Sequence, residues 1–168
     1  METIQAIMTR RSIRAFQDTP VSEEQIKTLL EAAMNAPSAG DGRPWEFFVT
    51  TDRAKLDALA AEVDEGNAMF RQSQAAVLIC LDKSLEGFEG FGEQDCSCAA
   101  QNLQLAAQDM GLGTVWIAVI NVPPRVAGCR SVLGVPEKLT PFALFPLGVP
   151  DETLEPEYRY DESKITRL

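Results

Sequence analysis

Three arginines and a serine lie within five residues, Arg10-Arg11-Ser12-Ile13-Arg14, in a chain of 168 residues with a formal net charge of −10. A local concentration of cations against that background asks for an anion. Each guanidinium presents a fixed fork of donors that matches phosphate oxygens, and a neighbouring hydroxyl adds one more hydrogen bond. The competing explanation is a solvated helix end whose arginines offset the acidic surface. The cluster by itself leaves both open.

The rest of the composition restricts the chemistry that can accompany such a site. Histidine is absent, which removes serine-histidine, cysteine-histidine and histidine-metal mechanisms along with the commonest proton carrier near neutral pH. An enzyme built without it leans on a cofactor. The cysteines, Cys80, Cys96, Cys98 and Cys129, form no C-x-x-C pair. Cys96 and Cys98 are two apart in a stretch that reads as helix and point to different faces, so all four are expected in the core or at an interface. The pI near 4.5 argues against nucleic acid and against an anionic membrane surface. No apolar run reaches the roughly 18 residues of a membrane span, and no charged-then-apolar leader opens the sequence. A soluble protein in a reducing cytoplasm is the expectation.

A length of 168 residues with 45% hydrophobic content suits one compact domain. Ile4, Ile7 and Met8 stand at helical spacing, which puts the arginines at or just after a short first helix. Ser22-Glu23-Glu24-Gln25 has the form of a capping box, and Ile26, Leu29, Leu30 and Ala33 continue one apolar face to about Asn35. Residues 36–44, with Pro37, Gly40, Gly42 and Pro44, cannot continue a helix and form a loop. Strands are expected over 45–51 and 75–81, with a helix capped by Asp52 running to about 63 and no clear pattern over 64–73. A long helix over about 93–110 keeps Cys96, Ala99, Ala100, Leu103, Ala106, Ala107 and Met110 on one side. Its alanines suit either a symmetric helix pair or close packing on the chain's own sheet. Residues 114–119 read as one apolar strand, Pro124 opens a helix, and 142–147 is a strand despite Pro146. The acidic tail, 151–168, is too poor in apolar residues to form its own core; Ile165 and Leu168 suggest a short strand, and the tail is expected to dock on something.

In order along the chain, Arg10-Arg11-Ser12-Ile13-Arg14-Ala15-Phe16, Ala36-Pro37-Ser38-Ala39-Gly40, Pro44-Trp45-Glu46-Phe47, Gly111-Leu112-Gly113-Thr114-Val115-Trp116-Ile117 and Leu147-Gly148-Val149-Pro150 resemble the FMN-dependent nitroreductase family over nearly the whole length. The resemblance implies an α+β fold: a nitroreductase-like α/β sandwich whose central mixed, mainly antiparallel sheet is flanked by helices, in an interlocked homodimer. Residues 1–150 would form a single FMN-binding domain and 151–168 a C-terminal arm docking on the partner subunit. The implied activity is hydride transfer from NADH or NADPH through bound FMN to a small acceptor such as a nitroaromatic or quinone. The alternative is a flavin-binding or flavin-storage protein without NAD(P)H turnover.

Under the same resemblance, Arg10, Arg11, Ser12 and Arg14 match positions that hold the FMN phosphate, ribityl chain and pyrimidine edge. Pro37, Ser38 and Ala39 match a loop that comes from the other subunit and lies against the isoalloxazine. Ile117, Ala118 and Val119 fall where the family presents backbone amides near flavin N5. Arg159, within Tyr158-Arg159-Tyr160, resembles a basic residue near the chain end that joins the phosphate site, and the alanine-rich helix becomes a dimer contact. Asp41 and Arg43 stand where the family usually reads asparagine and glutamine. An ionised aspartate only accepts hydrogen bonds and opposes the negative charge of reduced flavin, an effect that Arg43 can offset. The segment 82–92 is short for the family; its Phe88 and Phe91 are either a small lid over the flavin or aromatics of a surface loop. Trp45 and Trp116 are expected in the core.

Overall fold

A computed structural model describes residues 2–63 and 68–168. The first helix, α1 (Thr3–Thr9), ends where Arg10 turns into extended backbone. The capping box forms ahead of α2 (Glu23–Met34): Gln25 N donates to Ser22 Oγ at 3.1 Å and Ser22 N to Gln25 Oε1 at 2.9 Å. Strand β1 (Trp45–Thr50) leads into α3 (Arg53–Glu62), whose first turn is capped by Asp52 Oδ1, 2.8 Å from Ala54 N. A short helix, α4 (Ala68–Gln72), occupies most of the described part of the stretch that lacked a sequence pattern; residues 64–67 of that stretch lie outside the described residues. Five residues are too few for a periodic signal, and Met69 and Phe70 stabilise the turn by burial.

Strand β2 (Ala75–Leu81) is buried at every position, and α5 (Gly92–Asp109) follows after the short 82–91 connection. The expected single strand over 114–119 is instead two short ones, β3 (Gly113–Thr114) and β4 (Ile117–Ala118), both antiparallel to β5 (Thr140–Gly148) in one continuous register. The gap stands opposite Phe145 and Pro146, where proline has no N–H to give to a neighbouring strand. The second proline of β5, Pro141, lies beside the register shift at Ile79/Cys80 in β2. A strand carrying two prolines can occupy a central position because each coincides with an irregularity of a neighbour. Between β4 and β5 runs α6 (Pro123–Leu133), with proline in its first turn and Gly134 (φ 69°) closing it.

The sheet order is β1-β2-β5-β3, with β4 also on β5, and every pairing among the described residues is antiparallel. Helices cover both faces. Val77, Ile79 and Leu81 of β2 pack with Leu29 and Ala33 of α2 and with Ala99 and Leu103 of α5. The alternate residues, Ala76, Leu78 and Cys80, pack with Leu56 and Leu59 of α3, Phe70 of α4 and Cys129 of α6. Burial of each such leucine contributes about 1.5–3 kcal/mol.

Two sequence expectations are corrected here. Cys96, Ala99, Ala100, Leu103 and Ala107 are completely buried within the subunit, so these positions of α5 offer no surface to a second copy, while Ala106 and Met110 of the same side are partly buried; the small side chains let α2 and the sheet approach closely. The tail forms no strand among its described residues. It runs as irregular, largely exposed chain with one 3-10 turn at Glu162–Lys164, because Ile165 and Leu168 find no apolar surface in this subunit. Trp45 is buried as expected, and Trp116 sits edge-on to Phe142 and Phe145 at 5.6 and 5.4 Å.

Candidate functional site

The arginine segment is held to the sheet by its two apolar residues. Ile13 and Phe16 are buried, Ile13 N donates to Thr114 O at 3.0 Å, and Phe16 bridges Pro150. Both side chains lie over glycines that face each other across the β3–β5 pairing: a Cβ on Gly113 would stand 2.6 Å from Ile13 Cγ2, and one on Gly148 would stand 3.0 Å from Phe16 Cβ. The two distant glycine motifs thus have a local cause. They make room for the side chains that seat the arginines, and they tie that segment to β3 and to β5, the strand on which β4 also pairs.

Arg10 caps α1, with its N–H donating to Ala6 O at 3.0 Å. Its side chain shares a cavity of about 360 Å³ with Arg11 and Arg159. Ile7, Met8 and Tyr160 give that cavity apolar walls, and Glu157 is the one acid among the described lining residues. Arg159 Nε and Nη2 donate to Glu157 Oε2 at 3.2 and 2.9 Å. Arg11 Nη1 donates to the Glu155 carbonyl, which fastens the tail over the arginine segment without neutralising the charge. Burial lowers the Arg10 pKa, and the nearby charges of Arg159 and Arg11 lower it further. Cations that repel one another in a half-buried hollow form a site that gains from an anion.

Ser12 and Arg14 stand apart from this cavity. Arg14 is exposed and its Nη1 donates to Ser12 O at 3.2 Å. Glu152 Oε1 accepts from the N–H groups of Arg14 (2.5 Å) and Ala15 (3.1 Å), a second clasp between tail and arginine segment. Of the three residues of the flavin-strand expectation, Ala118 is exposed and its carbonyl accepts from Arg125 Nη1 at 2.9 Å. Val119 N is already committed to Phe142 O at 3.1 Å.

Pro37, Ser38, Ala39 and Asp41 form a separate group and none of them lines the arginine cavity. Their loop has left-handed backbone at Gly40 (φ 59°), Asp41 (φ 55°) and Arg43 (φ 50°), a conformation that disfavours L residues. Three contacts impose it. Arg43 N donates to Ser38 Oγ at 3.0 Å, and Ala39 N donates to Asp95 Oδ1 of α5 at 2.9 Å. Gly42 lies against Gly87 so closely that a Cβ on Gly42 would be 2.3 Å from Gly87 N. Asp41 and Arg43 form a two-pronged exposed ion pair, Nε–Oδ1 2.7 Å and Nη2–Oδ2 2.8 Å, which raises the Arg43 pKa. The Phe88 ring rests over Gly40 and meets Phe91 edge-on at 6.4 Å; both rings are exposed.

The sequence reading missed Asp95, Glu152 and Glu157. Asp95 is buried, and its Oδ2 has no protein partner. Its signal was available: it lies four residues before Ala99, so an acid sits on the apolar side of α5. The two glutamates carry no such mark in an acidic tail.

The sequence matches the description of the Nitroreductase family over residues 7–74 and 64–149. A protein of Methanothermobacter thermautotrophicus, provisionally named NADH dehydrogenase/NAD(P)H nitroreductase, is 44% identical over 165 residues, covering 98% of this chain and 86% of the relative. The structure of an FMN-dependent nitroreductase from Clostridium difficile is 31% identical with a TM-score of 0.89, covering 98% of each chain. A provisionally named nitroreductase from Desulfovibrio desulfuricans, solved in complex with FMN, is 29% identical with a TM-score of 0.85, covering 100% of this chain and 97% of that one. The family match over most of the chain, the relative at 44% identity and the structural likeness over 98% of the chain agree, and this chain belongs to the nitroreductase family.

Proposed function

We propose that the protein is a homodimeric, FMN-dependent NAD(P)H oxidoreductase whose acceptors are small conjugated electrophiles such as nitroaromatics and quinones. The observation that carries this reading is the convergence of Arg10, Arg11 and Arg159 on one cavity in a chain of net charge −10. That donor set fits a phosphomonoester, which brings a charge near −2 and three acceptor oxygens. Arg10, Arg11 and Arg159 would hold the phosphate, with Ser12 and Arg14 toward the remainder of the cofactor and the exposed backbone around Ala118 toward the ring. FMN, when bound, supplies two-electron chemistry, taking a hydride from NADH or NADPH and delivering it to the acceptor. With no histidine in the chain, protonation of the reduced acceptor falls to water.

The loop of Pro37, Ser38, Ala39 and Asp41 lies outside the arginine cavity of its own chain, as a contribution to the partner's flavin requires. Apolar surface for a second copy is present on α1 at Ile4 and Met8, on α2 at Met34 and in the tail at Tyr158 and Leu168, all exposed. Among the described residues no helix is long and apolar enough to cross a membrane.

The test has three stages. An oxidised-flavin spectrum retained through desalting establishes cofactor binding, and its loss removes the proposal. Anaerobic mixing with NADH and with NADPH must bleach that spectrum; a flavin that neither donor reduces marks a storage protein instead. A panel of nitroaromatics and quinones then identifies the acceptor, while a monomeric flavin-loaded protein in analytical ultracentrifugation would exclude the shared site.

A further inference from the structure

Glu157 projects into the same cavity as the three arginines and is the one acid among the described lining residues. We propose that Glu157 is an exchangeable counter-ion of the phosphate site, seated on Arg159 until a phosphate dianion displaces it, so that the site selects ligands by charge. This inference rests on the reading that the cavity takes the FMN phosphate.

The geometry makes the carboxylate a competitor. Arg159 directs both Nε and Nη2 at a single oxygen, Glu157 Oε2, at 3.2 and 2.9 Å. That is an edge of the guanidinium fork which a phosphate would engage. The carboxylate is ionised at neutral pH: the hydrogen bond from Arg159 holds its pKa below the usual range, followed by the charges of Arg159 and Arg11.

The same geometry makes the competitor weak. The two side chains are 62% and 57% exposed, in the range where ion pairs are screened and contribute little. Residues 155–160 belong to no helix or strand, so turning Glu157 away breaks no ladder of backbone bonds. Arg11 still fastens the tail through the Glu155 carbonyl. A phosphate brings about twice the charge of a carboxylate and an additional acceptor oxygen, and it draws on Arg10 and Arg11 as well. It wins the exchange, whereas a neutral ligand has nothing with which to displace Glu157.

The test is titration of the parent and of Glu157→Gln, each stripped of flavin, with FMN and with riboflavin, which lacks the phosphate. The glutamine keeps the size of the side chain and removes its charge. FMN should bind the variant roughly two- to fivefold more tightly, riboflavin should be unchanged, and inorganic phosphate should compete with FMN at lower concentration. Unchanged or weaker FMN binding in the variant would overturn the inference, because a glutamate that orients Arg159 for the phosphate gives that sign. A parent that binds FMN while the FMN-to-riboflavin ratio stays fixed in the variant refutes the role of Glu157 alone. A parent that binds no FMN refutes the phosphate site, and the inference with it.

Discussion

Replacing Arg10 by alanine should move affinity and stability in opposite directions. The backbone at Arg10 is held by its own N–H to Ala6 O and by the burial of Ile13 three residues on, so truncating the side chain leaves the segment in place. The guanidinium is half-buried and is opposed first by desolvation, then by Arg159 and Arg11. For a base whose pKa is lower in the folded than in the unfolded chain, folding disfavours the charged form. The resulting cost is fully present below the folded pKa and disappears as pH rises past the ordinary value of the unfolded chain. At neutral pH the protein carries all of it, and Arg10→Ala without flavin should melt no lower than the parent and by sign slightly higher. With FMN the balance reverses. A charge-assisted hydrogen bond contributes about 1.5–3 kcal/mol, and partial exposure places Arg10 at the low end, which is about tenfold in Kd. Fluorescence titration gives the affinity and a thermal melt of each state gives the stability. An unchanged FMN affinity, or a flavin-free melt several degrees below the parent, would show that Arg10 serves the fold rather than the phosphate.

The Asp41–Arg43 pair predicts a cancelling set of redox shifts: Asp41→Asn raises the flavin potential, Arg43→Gln lowers it, and the double variant returns close to the parent. Each shift should fall below the roughly 30 mV that one pKa unit of influence corresponds to for a two-electron couple, since the pair is exposed. Potentiometric titration measures all three, and an unmoved midpoint in both single variants would place the pair away from the ring. Gly42→Ala should lower Tm through its clash with Gly87 N, at about 1–3 kcal/mol in a denaturant titration, although its own backbone is an ordinary helical one. In the native protein a thiol reagent at pH 8 should label Cys98 alone, because burial pushes the thiols of Cys96 and Cys129 to about 12 and that of Cys80 higher still; mass spectrometry of the labelled peptides decides it.

Much of this molecule could be read from residue order, for reasons that differ between elements. The capping box at Ser22 and the fully apolar run of β2 are local signals, and both appear as expected. The split between β3 and β4 was not legible in residues 114–119, because the proline opposite it belongs to β5, some thirty residues on. The alanine face of α5 gave no direction, since periodicity says that a side is apolar without saying what covers it. At the site, the arginines stood out as a charge cluster against an acidic chain. Glu157 did not, because one acid among many acquires meaning only when the tail folds back beside Arg10 and Arg11. The left-handed turn at Asp41 and Arg43 likewise depends on Asp95, more than fifty residues away in sequence.

The backbone joint between Gly42 and Gly87 divides the connection before α5 into a fixed part and a free one. A Cβ on Gly87 would stand 2.2 Å from Ala39 O, whereas Gly90 (φ 85°) has nothing within 4 Å of where a side chain would begin. Length inserted beyond the joint, between the exposed rings of Phe88 and Phe91, leaves the Gly42–Gly87 contact in place and gives up the bond from Gly90 N to Glu86 Oε2 (3.0 Å). That makes Gly90 a graft point: under the function proposed above, a longer excursion spliced there changes which acceptors reach the cofactor while the loop from Pro37 to Asp41 keeps its form.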